Sequence, residues 1–222
     1  MASAVQICNR GLSSIGLRTI TALTGSEKEA IQCNLHYQDN LETLLAEHPW
    51  VFATKRVVLA ELATNARPDE WEYQYARPAN MLDIKWVNDP GTARNRLLLG
   101  LVPTDPYEMA EQFIWSDVEN ACAEYVELIE DPSVMPPHFR NALSWMMAAS
   151  LVLALTEDSN RVGYAEEKAA MAISKAKEHD ANLTLDTETQ PPMHLIERGS
   201  TDYASEIYPY PFESNYRRAG TT

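Results

Sequence analysis

The sequence predicts a mainly α-helical fold with a β insertion: a four-helix bundle that carries a small antiparallel β region and an extended C-terminal arm. Apolar residues recur at three- and four-residue steps on both sides of a central segment, and that segment is rich in β-branched and aromatic residues. Neither the helical spacing nor the β-rich composition continues into residues 185–222. We therefore assign residues 1–49 and 133–184 to the helical bundle, residues 50–132 to the β-rich insertion and residues 185–222 to the arm.

Two amphipathic helices are predicted before the insertion. The first ends at Gly16. The stretch GSEKEA then predicts a capping box, in which the side chains of Ser26 and Glu29 bond to each other's backbone N–H groups. Pro49 ends the second helix, because the residue before a proline avoids helical backbone. The predicted buried stripe of the second helix consists of Ala30, Cys33, Tyr37, Leu41, Leu44 and Leu45.

The insertion is predicted to form short strands and turns over residues 50–87, with a further strand at residues 97–102. The pair Ser116 and Asp117 is predicted as the tip of a hairpin. An acidic block surrounds this hairpin, since residues 104–137 contain nine Asp or Glu and no Lys or Arg. A solvated surface that keeps the protein in solution is the simplest explanation of such a block.

The stretch ALSWMMAASLVLAL, residues 142–155, is the least polar part of the chain. As a helix it would extend about 21 Å, less than the roughly 30 Å of a bilayer's hydrocarbon core, so we expect no membrane span. Nearly every face of this helix is apolar, and either the same chain or another subunit must cover it. A last, alanine-rich helix is predicted at residues 159–183, with an inward face of Tyr164, Ala169 or Ala170, Ile173, Ala176 and Ala181.

Composition and motifs argue against several functions. The formal net charge of −14 disfavours a protein that grips nucleic acid. The three cysteines form no CxxC pair, the five histidines form no HxxxH or HExxH pair, and the GxSxG, GxxxxGK[ST] and GxGxxG patterns are absent. The first thirty residues lack the pattern of a secretory signal. We therefore predict no catalytic, cofactor-binding or metal site, no cofactor and no enzyme activity.

The arm combines prolines with aromatic residues, which suits an extended segment that docks on a neighbour in preference to packing back on its own domain. Tyr208, Tyr210 and Phe212 are the candidate anchors.

Several strings of residues together resemble the head-to-tail adaptor family of short-tailed bacteriophages, also called tail tubular protein A. The most specific string is HPWVFATKR at residues 48–56, and the second is SSIG at residues 13–16. RPANMLDIKWV and P.FRNALSWMMAASLVLAL follow in the order typical of the family. The resemblance covers roughly residues 4–180.

The resemblance implies a structural virion protein that is assembled in the bacterial cytoplasm and lies at the interface of head and tail. Such adaptors form a ring of about twelve copies between the portal protein and the tail nozzle protein, and DNA passes through the ring without specific binding. Trp50 and Phe52 would then fix the junction of bundle and insertion, and Tyr208, Tyr210 and Phe212 would anchor the arm on the portal. The acidic residues expected to line the channel or face the nozzle are Asp117, Glu119, Glu124 and Glu127.

Two other functions stay open on the sequence alone. One is a tail accessory protein that degrades peptidoglycan, and the other is a cytosolic helical module that binds proteins. Peptidoglycan cleavage would separate the first from an adaptor, and the mass of the protein with and without portal would separate the second.

Overall fold

A computed structural model describes residues 2–90, 105–156 and 159–184. The predicted strand at residues 97–102 and the predicted arm lie outside these residues. The described elements are, in chain order, α1 (Ala4–Ser14), α2 (Lys28–Ala46), β1 (Thr54–Val58), β2 (Ala60–Glu61), β3 (Tyr73–Ala76), β4 (Met81–Asn88), β5 (Tyr107–Ala110), β6 (Phe113–Ser116), β7 (Cys122–Glu127), α3 (Pro137–Thr156) and α4 (Ser159–Thr184).

The prediction of a mainly α-helical four-helix bundle is wrong. About 45% of the described residues are helical and about 20% lie in seven strands, which form two antiparallel sheets, so the fold is a mixture of α and β structure. The reason is that the strands have a hydrophobic core of their own, in which Tyr75, Val87, Ile114 and Ala123 are fully buried. A region with its own core is a second layer of the fold and not an appendage of the helices.

One sheet has the strand order β1-β7-β4 and the other has the order β2-β3-β6-β5. The two sheets are joined at Leu59, the single residue between β1 and β2, which is buried and donates its N–H to the Ala121 carbonyl at 2.8 Å. The predicted hairpin at Ser116 and Asp117 is wrong, because β6 and β7 belong to different sheets. The hairpin lies instead between β5 and β6, where Glu111 turns the chain with a φ of 54°.

The first two helices largely match the sequence prediction. After α1, Gly16 has a φ of +75°, and the Leu17 N–H donates to the Leu12 carbonyl at 2.9 Å, which is a glycine C-cap. All six residues of the predicted α2 stripe are buried. The capping box is wrong: Glu27 is the N-cap residue and its side chain makes no capping bond.

Helix α3 lies at the centre of the helical core, against both α1 and α2. In the described part of the chain it is the one helix long and apolar enough to cross a membrane, and 44% of its apolar window is buried. Core helices have the same composition, and α3 buries a continuous side in this protein. That side consists of Phe139, Ala142, Leu143, Ser144, Met147, Ala148, Leu151 and Val152.

The inward face predicted for α4 is partly wrong. Tyr164 is 52% exposed, and Ala170 and Ala181 are also exposed. The buried stripe consists of Ala165, Ala169, Ala172, Ala176 and Asp180. Alanines are distributed around the whole helix, so they give little contrast between its faces, and the sequence does not determine how the helix is rotated.

Candidate interaction surfaces

Three aromatic rings meet where the helices join the sheets. Trp50 is 1% exposed, and its ring lies edge-on to Phe139 of α3 with centroids 4.9 Å apart. The half-buried Phe52 contacts Phe139 in the same way at 4.9 Å. The Trp50 Nε1–H donates to the Leu44 carbonyl at 2.8 Å, which ties the ring to α2. Trp50 and Phe52, the sequence-predicted junction residues, are therefore brought together with Phe139, which the sequence analysis did not single out.

A buried carboxylate holds the end of α4 against the turn before β1. Asp180 is 5% exposed and accepts the Val51 N–H at 3.1 Å and a hydrogen bond from His48 Nε2, also at 3.1 Å. Nearby, the rings of His138 and His179 lie 4.2 Å apart. Asp180 was not predicted as a buried residue, because it follows the polar stretch Lys177–His179 in the sequence, although its four-residue step from Ala176 was a usable signal.

A group of ion pairs covers one face of the sheet β1-β7-β4. Glu124 of β7 is 9% exposed and lies between Arg56 Nη2 at 2.6 Å and Lys85 Nζ at 3.3 Å. The Arg56 guanidinium also stacks over the Trp86 ring at 4.8 Å. These contacts neutralise Glu124 and hold the three strands together.

The four acidic candidates do not form one surface. Glu127 is half-buried and pairs with Lys55 at 2.6 Å, so its charge is balanced as that of Glu124 is. Asp117 and Glu119 lie in the loop after β6 and are exposed. Asp117 accepts the Glu72 N–H at 3.0 Å, which fixes the loop to the start of β3.

The exposed acids surround Tyr73 at this end of the four-stranded sheet. Desolvation, followed by the charges of Glu72, Glu119 and Glu61, raises the pKa of the Tyr73 hydroxyl. This end of the sheet therefore carries concentrated negative potential, and it is the part of the acidic block that can repel a polyanion.

A cleft of about 550 Å³ separates α4 from α2 and α3 and is open to the surface. Its apolar walls are formed by Met146, Ala149, Ala169, Ala170 and Ile173. Asn40 of α2 forms part of the wall and its amide donates to the Ser150 hydroxyl at 3.0 Å. At one end the Lys177 ammonium pairs with Glu47 at 2.9 Å. The cleft combines an apolar interior with charged ends, as protein-binding grooves do.

We next consider the metal-ligating and nucleophilic side chains among the described residues. No group of three His, Cys, Asp or Glu among them could hold a metal ion. Cys8, Cys33 and Cys122 are free and buried. The hydrogen bond with Cys33, together with burial, raises the pKa of the Cys8 thiol, and burial raises the pKa of Cys122. Cys8 and Cys122 therefore stay protonated and are poor nucleophiles, whereas the hydrogen bond with Cys8 lowers the pKa of the Cys33 thiol.

The predicted anchors of the arm, Tyr208, Tyr210 and Phe212, lie outside the described residues. No protein-family model and no curated protein matches the sequence.

Proposed function

We propose that this protein is a subunit of the head-to-tail adaptor ring of a short-tailed bacteriophage. The observation that carries the proposal is the aromatic contact between Trp50, Phe52 and Phe139. These residues belong to HPWVFATKR and to P.FRNALSWMMAASLVLAL, two strings far apart in the sequence that resemble the adaptor family. Their meeting at one junction supports a shared architectural role for both strings.

In this function the protein assembles and does not turn over a substrate. Copies associate side by side into a closed ring, and many modest contacts together hold the ring on the portal. The tail nozzle binds to the opposite side. Tyr208, Tyr210 and Phe212 anchor the arm on the portal, because aromatic side chains bury a large area at a low entropic cost.

The acidic residues have two roles in this proposal. Asp117 and Glu119 keep exposed charges, so they face the DNA channel or the nozzle. Glu124 and Glu127 are neutralised by bases of β1 and β4 and stabilise the sheet that carries the acidic loop. Negative charge along a channel lets DNA slide because it offers the phosphates no cation to bind.

The decisive experiment measures the mass of the complex formed with the purified portal protein of the phage that encodes this chain. We expect one ring, of about twelve copies, on each portal assembly. Absence of portal binding would contradict the proposal. A clear zone on a peptidoglycan zymogram would also contradict it and would favour the accessory enzyme. A stable dimer that does not bind the portal would contradict it as well.

A matched variant tests the arm separately. Replacing Tyr208, Tyr210 and Phe212 by Ala should leave a folded subunit with weakened portal binding. Circular dichroism checks the fold, and co-sedimentation with the portal measures binding. Unchanged portal binding would reject the role of the arm while leaving the ring itself in place.

A further inference from the structure

Helix α2 exposes two large apolar side chains that no part of the described chain covers. Ile31 is 54% exposed and Leu35 is 61% exposed. Residues four apart lie on the same side of a helix, about 6 Å apart along its axis, so the two side chains form one apolar ridge. We refer to Ile31 and Leu35 as the ridge.

The cleft between α2, α3 and α4 opens on the other flank of α2. Ile31 and Asn40 are separated by about 2.5 helical turns, so their side chains leave the helix in opposite directions. Asn40 forms part of the wall of the cleft. The molecule thus has a convex apolar surface on one flank of α2 and a concave apolar surface on the other.

Two different surfaces on opposite flanks suit a head-to-tail contact. In a two-fold dimer one patch meets itself, so the ridge and the cleft would both have to belong to that patch, and their places on opposite flanks of α2 disfavour this. In a head-to-tail arrangement the ridge of each copy enters the cleft of the next. Repeated contacts of this kind form a ring when the rotation between neighbours closes.

The shape of the cleft accommodates the ridge. Three of its wall residues are alanines, Ala149, Ala169 and Ala170, whose small side chains leave space for branched ones. Met146 and Ile173 add apolar contact area, and methionine adapts to the shape of what it contacts.

Charge favours this docking at one end of the cleft. Lys28 precedes the ridge along α2, and Glu166 lines the cleft nearer the start of α4 than Lys177 does. If α2 of one copy runs parallel to α4 of the next, Lys28 approaches Glu166, while Lys177 at the other end keeps its pair with Glu47. Lys28 and Glu166 form no salt bridge with the residues that the structure describes.

We propose that the ridge of one copy docks in the cleft of a second copy of this chain, with α2 parallel to α4 and Lys28 paired with Glu166. This inference rests on the proposed function, because it names the contact by which the adaptor subunits form their ring. The partner is a second copy of the same protein, and the contact is apolar at its centre and charged at one end.

A mixing experiment with two variants tests the proposal. Leu35→Asp removes the ridge and keeps the cleft, whereas Ala170→Trp fills the cleft and keeps the ridge. Each variant alone should stay monomeric when its mass is measured by sedimentation, with self-association weakened roughly tenfold or more. An equimolar mixture should form a dimer and nothing larger, since only one ridge and one cleft remain intact.

Met171 supplies the controls, because it is 46% exposed on α4 and is not among the residues that line the cleft. Met171→Asp and Met171→Trp introduce the same side chains and should associate as the unmodified chain does. A Lys28→Glu variant should self-associate more weakly, and combining it with Glu166→Lys should restore the association. Circular dichroism verifies that every variant is folded.

Several results would overturn the inference. They are an unmodified chain that stays monomeric up to about 1 mM, variants that associate like the unmodified chain, or a mixture that gives no dimer. Failure of the adaptor function is a separate result. If the mixture forms a dimer but the unmodified chain does not bind the portal, the proposed function is rejected and the contact is not. If both variants still form a ring on the portal, the contact is rejected and the function is not.

Discussion

Gly11 allows α1 to lie directly against the backbone of α3. A Cβ atom at this position would be 2.7 Å from the Ser144 carbonyl oxygen and 3.3 Å from the Ala148 nitrogen. We expect Gly11→Ala to push the helices apart and to lower the free energy of unfolding. Overpacking costs about 1–3 kcal/mol, which exceeds the gain of up to about 1 kcal/mol from alanine's helix propensity. Urea denaturation measures the difference.

Gly163 of α4 provides the matched control for Gly11. A Cβ atom there would meet nothing within 4 Å. Gly163→Ala should therefore raise the free energy of unfolding by roughly 0.5–1 kcal/mol through helix propensity alone. Equal stabilisation by both substitutions would show that α1 and α3 do not approach each other as closely as described.

At the scale of a single element, one side chain attaches helix α4 to the turn before β1. The buried Asp180 holds the end of α4 to the Val51 N–H and to His48, so its removal leaves the part-buried Val51 N–H without its partner. We expect Asp180→Ala to lower the free energy of unfolding by about 1–3 kcal/mol. Amide hydrogen exchange should accelerate along α4 more than along α2, because the lost bonds hold α4.

Two further variants make this expectation specific. Asp180→Asn keeps an oxygen acceptor for the Val51 N–H and should lose less stability than Asp180→Ala. Glu178 is exposed on the same helix, and Glu178→Ala should change little. Equal effects of the Asp180 and Glu178 substitutions on exchange would argue against the attachment.

Each element could be predicted to the extent that its buried and exposed side chains differ in size and polarity. The α2 stripe was predicted correctly because large apolar residues alternate with polar ones, which fixes the rotation of the helix. The rotation of α4 was not predicted correctly, because alanine is tolerated both on a buried and on an exposed face of a helix. Strand positions could be recognised from composition, but strand pairing could not: β6 and β7 are adjacent in sequence yet separated by a turn through Asn120 into another sheet.

The candidate surfaces were predictable to different degrees. Trp50 and Phe52 could be selected because they lie in HPWVFATKR, the most specific of the strings that resemble the adaptor family. The pairing of Glu124 with Arg56 and Lys85 could not, because it depends on which strands lie side by side. The cleft depends on the spacing of three helices, which no local pattern encodes.

At the scale of the whole molecule, charge determines the response to DNA. The net charge is −14, and Lys55, Arg56 and Lys85 are already paired with carboxylates. We expect a Kd for duplex DNA weaker than about 100 μM even at low salt. Fluorescence anisotropy of a labelled duplex measures it.

A paired variant checks the cause of this weak binding. Substituting Gln for Glu124 and Glu127 would release the bases of β1 and β4, so a modest gain in DNA affinity that disappears at high salt is expected. Micromolar binding of duplex DNA by the unmodified chain would contradict the description of the acidic surface.

The continuous backbone through Leu59 has a mechanical consequence. Strand β1 forms an edge of one sheet and β2 forms an edge of the other. Because only Leu59 separates these two strands, no flexible linker at this point allows the sheets to move apart. A force applied to the four-stranded sheet would pass through Leu59 to the three-stranded sheet before any strand could separate from its neighbour. In the adaptor ring that we propose, such stiffness would keep the geometry of each subunit constant under the pressure of a packaged genome.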